Sequence, residues 1–385
     1  MRVDHEDRGP GDGGGRDAKA LRVLVVTVVH DPEDARIRHR QLVSLLEEGC
    51  EVTYAAPFSA YGRSAPDDVV PVDLPRAAGR RRLRALLAAR RLVRTAGPDH
   101  DVVLLHDPEL LLALPLRWPG TGRPAVVWDV HEDTASALSM KAWLLGPARR
   151  LLPAAVRAVE RLAERRLRLT LAETGYADRF RRRHPVVPNS VLVPHSDVPP
   201  PGEDRVVYLG RVTAPRGGLD LVELGRLLAG EVVVEVVGPA DADVREQLRS
   251  AHDAGAVRWR GFVPNDEALA GLPGALAGLS LLHDEPNYAH SRPTKVMEYM
   301  AHGLPVLTTP TRAAVELVGR AGSGVVVPFE DPEAAAAAVR ALRDDPGRRR
   351  SLAEAGRAHA LAELDWRLDG HRFVAQLREW AAAPR

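Results

Sequence analysis

The chain has 385 residues and is nearly neutral, with 53 Lys and Arg residues against 52 Asp and Glu residues. This length predicts two domains, since one domain takes about 150 residues, and the balanced charge with 4% aromatic residues excludes a general nucleic-acid binder. Cys50 is the single cysteine, so no disulfide framework is possible and a reducing compartment is favoured.

Residues 1–20 are rich in glycine and charge and lack the apolar centre of a signal peptide, which predicts a disordered tail. The most apolar stretch, residues 102–116, is interrupted by charges and prolines and is too short to span a bilayer, so a cytoplasmic protein is expected. Arginine is concentrated at 79–94, 148–169 and 179–185. These segments are either solvated helix faces or a basic surface that holds the protein at the inner face of a membrane through anionic headgroups.

The first half of the chain alternates strands and helices. Apolar, β-branched runs predict strands at 21–29, 51–57, 101–107, 124–132 and 168–174. Helices are predicted between them at 34–48, near 108–115, along an Arg- and Leu-rich segment and from 175 onward. Residues 21–187 are the predicted N-terminal domain, and the Pro-rich segment 188–203 is the predicted linker.

The second half repeats the same alternation. Strands are predicted at 204–210, 231–238, 257–263, 278–285, 304–310 and 322–329, and helices at 218–229, 265–277, 293–302, 331–343 and roughly 347–382. Such alternation predicts parallel sheets joined by right-handed crossovers. The predicted fold class is therefore α/β, with two doubly wound Rossmann-like domains facing each other across a cleft. Residues 204–365 are the predicted C-terminal domain, and 366–385 a final helix that packs back on the N-terminal domain.

Cationic side chains follow the first strand of the second half. Arg211 and Arg216 flank a short loop at the carboxyl end of strand 204–210, where such folds bind ligands. Two guanidinium groups there suit an oxyanion, because arginine binds phosphate oxygens bidentately. Alone this signal is weak, since arginine is common in surface loops.

The helix 293–302 carries its charges in an unusual order. Lys295 lies in the first turn and Glu298 follows, although the helix dipole favours the reverse. A helix N-terminus with a lysine is an anion site, and a carboxylate can accept two hydrogen bonds from a vicinal diol. A diphosphate beside a diol describes a nucleotide sugar; the alternative is an ordinary surface ion pair.

Several segments together resemble family 4 of the retaining GT-B glycosyltransferases, the group 1 type. They are "VVPNS" (186–190), "GRVTAPRGG" (210–218) and "KVMEYMAHGLPV" (295–306), and the resemblance extends over about residues 21–365. It implies a GT-B fold and transfer of a hexosyl group, with retention, to an acceptor hydroxyl in glycan, glycolipid or metabolite biosynthesis. The donor would be a nucleoside-diphosphate sugar, with UDP favoured and GDP possible. The acceptor would be a glycan, a lipid-linked saccharide or a small molecule, with neither a cofactor nor a metal. A nucleotide-sugar epimerase of the same fold and a non-catalytic nucleotide-sugar-binding protein remain alternatives.

The resemblance also implies roles for individual residues. Arg211 and Arg216 would neutralise the donor diphosphate during catalysis, Lys295 would add a phosphate contact, Glu298 would hold the ribose, and His131 of "DVHED" would lie beside the transferred sugar. The remaining donor-binding positions would be Gly210, Gly238, Phe262 and Val263. His106 and Asp107 are candidates for the acceptor side, and the DxD-like "DAD" at 241–243 is expected to be structural rather than metal-binding.

Two positions depart from the family pattern. His290 stands where many relatives have the first glutamate of a Glu-x7-Glu motif, and Glu285 is the candidate substitute for that carboxylate. The loop "HDPEDARIRHR" (30–40) stands where a Gly-Gly pair is frequent after the first strand. It supplies His30, Asp31, Arg36 and Arg38 instead. The way this loop approaches the sugar is therefore not predicted by the resemblance.

Overall fold

The computed structural model describes residues 20–115, 117–119, 123–131, 148–285, 288 and 293–383. Residues 1–19 of the predicted tail and His290 lie outside the described residues. No helix within the described ranges is long and apolar enough to cross a membrane.

Twelve strands occur in the described part of the chain. They are β1 (Arg22–Val26), β2 (Glu51–Ala56), β3 (Val70–Asp73), β4 (Val102–Leu105), β5 (Ala125–Val130), β6 (Arg168–Leu171), β7 (Arg205–Leu209), β8 (Val233–Val237), β9 (Val257–Gly261), β10 (Ala277–Ser280), β11 (Val306–Thr308) and β12 (Gly324–Val326). They form two parallel sheets of six strands, which confirms the predicted α/β class. The first sheet has the order β3-β2-β1-β4-β5-β6 and the second the order β12-β11-β10-β7-β8-β9. Each is a Rossmann-type order that reverses between its first and fourth strands.

Helices connect these strands. The α-helices are α1 (Val43–Glu47), α2 (Phe58–Tyr61), α3 (Arg82–Ala96), α4 (Ala148–Arg166), α5 (Gly218–Leu227), α6 (Arg245–Asp253), α7 (Asn265–Ala270), α8 (Thr294–Ala301), α9 (Arg312–Ala321), α10 (Pro332–Asp344), α11 (Pro346–His359) and α12 (Trp366–Ala382). Shorter 3₁₀ segments lie at Gly79–Arg81, Gly97–Asp99, Pro108–Ala113, Thr174–Arg179 and Ala214–Arg216, and π-helical turns at Ile37–Leu42 and Ala360–Leu364.

The first sheet is covered on both faces, which explains its continuous apolar strands. In β1, Val23 and Val25 point into the core that contains Trp366 and Phe373 of α12. Leu24 and its neighbour Val26 point into the opposite core, against α3. The last helix of the chain is therefore part of the N-terminal core.

Several predicted boundaries are wrong. The helix predicted at 347–382 is interrupted at Asp365, whose carboxylate caps α12 by accepting from the N–H of Arg367. The helices predicted near 108–115 and from 175 are short 3₁₀ segments, and the helix predicted at 265–277 ends at Ala270. Strand β3 and helix α9 were not predicted. The exposed edge strand β3 is only four residues long and contains Pro71, so its sequence carries a weak strand signal.

The linker is tied to the C-terminal helices. Val191 donates its N–H to the carbonyl of Leu364 and accepts from the N–H of Trp366. Arg357 of α11 donates to the carbonyl oxygens of Pro194 and Ser196, each at 2.8 Å. The segment between the two sheets is thus held at the point where the chain returns to the N-terminal domain.

Candidate functional site

Histidines follow three strands at the carboxyl edge of the first sheet. His30 follows β1, His106 follows β4 and His131 follows β5. The Nε2 atoms of His30 and His131 are 2.9 Å apart, and the ring centroids of His106 and His131 are 5.7 Å apart. Because β1 and β4 are the strands between which the sheet order reverses, this cluster occupies the position where doubly wound sheets bind ligands.

Asp107 explains the course of the loop after β1. Its buried carboxylate accepts hydrogen bonds from the hydroxyl of Thr27 and from the backbone N–H groups of Val28 and Val29. The Nδ1 atom of His30 lies 2.6 Å from the same carboxylate. Burial would raise the pKa of Asp107, but the hydrogen bond and charge of His30 help to hold it below its usual value. The loop therefore turns back onto the sheet edge, and β1 ends at Val26 rather than at residue 29.

Asp129 is a second buried carboxylate at this edge. It accepts from Nε and Nη2 of Arg36 at 2.7 and 2.8 Å, from Nε2 of Gln41 at 3.0 Å and from the hydroxyl of Thr170 at 2.7 Å. Burial would raise its pKa, but the adjacent Arg36 guanidinium holds the pKa well below the usual range. Asp129 therefore stays ionised and anchors the segment that carries Arg36.

His131 has protein neighbours at both ring nitrogens. Its Nε2 faces His30, and its Nδ1 lies 3.2 Å from the carbonyl oxygen of Asp129 and 3.5 Å from the carboxylate of that residue. A substrate hydroxyl would have to compete with His30 for Nε2. The predicted place of His131 beside the sugar stays a prediction, now with this constraint.

His106, Asp129 and His131 are the group of described residues that could hold a metal ion, because their ligand atoms lie within 4.8 Å of one another. The Nδ1 atom of His106 lies 3.5 Å from the Asp129 carboxylate, its Nε2 is buried without a hydrogen-bond partner among the described residues, and burial lowers the pKa of this histidine. Asp129, however, already binds the Arg36 guanidinium, whose charge opposes a second cation. The arrangement fits a metal poorly, and the absence of a metal requirement stays a prediction.

Two glycine turns meet at the carboxyl edge of the second sheet. Gly210 after β7 has a φ of 107°, and Gly238 after β8 has a φ of 145°. A Cβ on Gly238 would lie 2.0 Å from the carbonyl oxygen of Gly210, so this close approach requires glycine. Phe262 lies just beyond β9 with 76% of its surface exposed, and the neighbouring Val263 is partly buried against the core. All four predicted donor-binding positions are thus at one sheet edge.

Arg211 forms an ion pair that was not predicted. Its Nε and Nη2 atoms donate to the carboxylate of Asp241 at 2.6 and 2.9 Å. Asp243 accepts from the N–H of Ala214 at 3.0 Å. Both carboxylates of the "DAD" segment therefore hold the loop that follows β7, and Arg211 is restrained in a partly exposed pair.

Arg216 lies at the end of the same loop. Gly217, the next residue, has a φ of 79°, and a Cβ there would lie 2.2 Å from the carbonyl oxygen of Leu281. The turn is thus pressed against the chain beyond β10. The guanidinium of Arg216 has no hydrogen-bond or ion-pair partner among the described residues, and its charge helps to lower the pKa of Lys295.

Lys295 in the first turn of α8 has a buried amino group. Its Nζ atom has no hydrogen-bond partner in the described part of the chain and lies 3.6 Å from the ring centroid of Tyr208. Burial and the charge of Arg216 lower the pKa of Lys295 well below its usual value, and Glu298 opposes that effect. A desolvated ammonium beside a second cation is unfavourable unless an anion joins them.

Glu298 lies one turn further along α8 and faces the N-terminal domain. Burial raises its pKa to about 7, and the charges of Arg40 and Lys295 act against that rise. Arg40 belongs to the π-helical turn before α1; its pKa is lowered by burial, an effect that Glu298 opposes. Arg40 was not predicted as a site residue, although its alternation with Arg36 and Arg38 in "ARIRHR" was a signal.

Glu285 is the predicted substitute for the missing first glutamate. Glu285 is exposed in a turn after β10, where its N–H donates to the carbonyl of His283. Because His290 lies outside the described residues, the predicted contribution of Glu285 near the sugar stays a prediction.

Comparisons with known proteins agree with this architecture. Residues 203–345 match the family of glycosyl transferases group 1. The chain is 28% identical over 349 residues to a phosphatidyl-myo-inositol mannosyltransferase of Mycolicibacterium smegmatis, a match that covers 85% of each chain.

Solved structures share the fold at lower identity. Sucrose-phosphate synthase from Thermosynechococcus elongatus matches with a TM-score of 0.71 at 17% identity, over 94% of this chain and all of that one. HepE from Anabaena, in complex with UDP-glucose, matches with a TM-score of 0.67 at 14% identity, over 93% of this chain and all of that one. Residues 203–345 are thus similar to the group 1 glycosyltransferases, the chain has the GT-B fold, and these similarities together support a glycosyltransferase enzyme.

Proposed function

We propose that this glycosyltransferase takes a hexosyl group from a nucleoside-diphosphate sugar and transfers it, with retention, to an acceptor hydroxyl. The observation that carries the proposal is the Lys295 ammonium, which is buried without a hydrogen-bond partner among the described residues and lies near the unpaired guanidinium of Arg216. A diphosphate supplies the anion that these two cations lack. The diphosphate would also accept hydrogen bonds from the N–H groups of the first turn of α8, which no side chain caps.

The rest of the second sheet edge fits the other parts of such a donor. Glu298 lies one turn from Lys295, where its carboxylate can accept two hydrogen bonds from the ribose diol. The touching turns at Gly210 and Gly238 let a ligand approach the backbone closely. The exposed ring of Phe262 offers a surface to the nucleobase. HepE, whose structure contains UDP-glucose, supports a UDP-sugar as the favoured donor, with a GDP-sugar as the second possibility.

Arg211 joins the phosphate site by exchanging partners. Its pair with Asp241 is exposed to solvent, where water and salt screen the attraction and such pairs contribute little to stability. A diphosphate carries more charge than one carboxylate, so the donor can draw Arg211 away at small cost. In the transition state Arg211, Arg216 and Lys295 would stabilise the charge that develops on the leaving diphosphate. Protein cations can thereby take the place of a metal.

The N-terminal edge favours direct transfer over a covalent intermediate. The buried carboxylates of Asp107 and Asp129 at this edge are occupied by His30 and Arg36. Neither is available as a nucleophile for double displacement. We therefore infer attack by the acceptor on the same face from which the diphosphate departs, with His131 beside the sugar. The relative named as a phosphatidyl-myo-inositol mannosyltransferase makes a lipid-linked acceptor a candidate beside glycans and small molecules.

The experiment measures turnover with a panel of UDP- and GDP-sugars, with and without acceptor extracts. We expect acceptor-dependent transfer, and a loss on the order of 100-fold for Arg216→Ala, since removing one donor to a developing charge typically costs that much. Arg226→Ala, on the exposed face of α5, is the matched control and should retain full turnover. Release of epimerised sugar without acceptor would indicate an epimerase, and donor binding without any turnover a non-catalytic binding protein.

A further inference from the structure

A large groove lies on the N-terminal domain, away from the donor site. It has a volume of about 1050 Å³ and is bordered by the 3₁₀ segment at Pro108–Ala113, the second half of α4 and the end of α12. Ala125 and Arg168, the first residues of β5 and β6, line it. The groove is therefore at the amino edge of the first sheet, opposite the edge that carries His131.

The walls of the groove are apolar and partly exposed. Leu112 and Leu162 are 61% and 47% exposed, although large apolar side chains at such exposure are usually covered when they form a contiguous surface. Trp118 and Trp380 contribute aromatic surface from two separate segments. The exposed Leu87 of α3, which packs beside the 3₁₀ segment, extends the apolar surface beyond the groove.

The rim of the groove is positively charged. No acidic side chain is among its described lining residues. Six arginines line it: Arg90, Arg123, Arg165, Arg166, Arg168 and Arg182. None of the six forms an ion pair with a described residue, and all are exposed. Of these guanidinium groups, that of Arg90 donates to the carbonyl oxygen of Leu112, at 3.4 Å. Guanidinium groups without ion pairs around an apolar floor complement a ligand that combines an anionic group with hydrocarbon.

We propose that this groove binds an anionic phospholipid of a membrane surface, with the acyl chain between the leucines and the phosphate on the arginine rim. The charge pattern decides among possible occupants. A second copy of this chain would bring the same basic rim against itself, and a free phosphate would leave the leucines and tryptophans exposed. An anionic membrane complements both the basic rim and the apolar floor of the groove. It would hold the amino edge of the first sheet at the bilayer and leave the donor cleft on the other side accessible.

The test is sedimentation of the full chain with vesicles of phosphatidylglycerol or of phosphatidylcholine. We expect binding to phosphatidylglycerol only, weakened by added salt, with a blue shift of tryptophan fluorescence from Trp118 and Trp380. The double variant Arg165→Glu/Arg168→Glu should bind at least tenfold more weakly. Arg348→Glu/Arg350→Glu, which makes the same charge change on the exposed face of α11, should bind as the wild type does.

Leu112→Asp examines the apolar part separately and should weaken vesicle binding at low salt while UDP-sugar binding stays unchanged. The proposal is overturned if the wild type fails to sediment with phosphatidylglycerol at low salt, or if both charge variants lose binding equally. Self-association through the groove, detected by ultracentrifugation and abolished by Leu112→Asp, would assign the surface to a second copy instead. Because vesicle binding needs no donor, failure here leaves the transferase proposal intact, and the reverse also holds.

Discussion

At the residue scale, Glu298 is notable because it is a buried acid whose pKa lies close to neutral pH. Burial raises its pKa to about 7 from an ordinary value of 4.5, so the folded protein holds a proton more tightly than the unfolded chain between these values. Stability is therefore highest below pH 4.5 as far as this group is concerned. It falls as the pH rises toward 7, and the loss is complete above that value.

We expect Glu298→Gln to remove this dependence. In the wild type, Glu298 should lower the free energy of unfolding by roughly 2 kcal/mol between pH 5 and pH 8. In the variant, the fall in the free energy of unfolding over the same range should be smaller by this amount. Urea unfolding at the two pH values measures the difference. An identical pH dependence in both proteins would show that the carboxylate is not desolvated.

His131 makes a second prediction at this scale. We expect His131→Ala to slow transfer while nucleotide binding is retained, because the residue lies on the sugar side rather than at the phosphates. His30→Ala removes the neighbour of His131 Nε2, and a misplaced group of this kind can cost up to about 100-fold; we expect about tenfold, since Asp129 still holds the ring. Turnover at saturating donor measures both. Wild-type turnover of His131→Ala would make it a structural histidine.

The sequence predicted some of these residues and not others, for a physical reason. Lys295 and Glu298 were visible because their order opposes the helix dipole, and Arg216 because it follows a strand at its carboxyl end. Arg40 was not visible, because its importance depends on a helix from the other domain. The restraint of Arg211 by Asp241 was equally hidden, since a contact between two loops 30 residues apart has no local pattern.

At the element scale, the loop after β7 depends on a glycine. Gly217 and Gly255 both have left-handed backbones, with φ of 79° and 75°, but a Cβ would meet the Leu281 carbonyl at Gly217 and nothing within 4 Å at Gly255. Substitutions at these two glycines therefore distinguish the effect of backbone strain from that of steric overlap.

We expect Gly217→Ala to destabilise the protein by at least about 2 kcal/mol more than Gly255→Ala, because overlap with backbone is added to the strain common to both. It should also weaken donor binding, since the displaced turn carries Arg216. Urea unfolding and calorimetry with UDP supply the two measurements. Equal destabilisation by the two variants would mean that the turn can move away from Leu281 freely.

Strands and helices were predicted well where burial imposes a regular pattern of apolar residues. Their ends were predicted poorly where a tertiary contact terminates the element. The apolar runs located all strands of both sheets except the exposed β3. The first strand was overextended because the N–H groups of Val28 and Val29 turn to Asp107, a partner 79 positions away from Val28. The last helix was predicted to be continuous because nothing local shows that Asp365 bridges to the linker.

At the scale of the whole molecule, Arg40 and Glu298 interact electrostatically between the two domains. Arg40 of the N-terminal domain lowers the pKa of Glu298 on α8 of the other domain. Its carbonyl oxygen accepts from Trp366 Nε1 at 3.1 Å, so the returning helix α12 helps to position this turn. In the proposed donor site, Glu298 would thus be supported by a residue from across the cleft.

We expect Arg40→Met to raise the pKa of Glu298 further, because an attractive charge is lost while an unbranched apolar side chain still fills the place of the arginine stem. Donor binding that needs an ionised Glu298 should then require a higher pH. Titration of UDP affinity from pH 5 to pH 9 measures the midpoint. Arg38→Met in the same turn, where the guanidinium pairs with Asp68 instead, is the control and should leave the midpoint unchanged.

The most direct measurement of the central claim compares Lys295→Met with the wild type in two properties, stability and UDP affinity. Removing a buried ammonium that has no described hydrogen-bond partner should leave the free energy of unfolding unchanged or higher. UDP affinity by calorimetry should fall by at least 100-fold, because the diphosphate loses its desolvated cation. If the variant instead unfolds more easily and binds UDP normally, Lys295 serves the fold and the proposed diphosphate site is wrong.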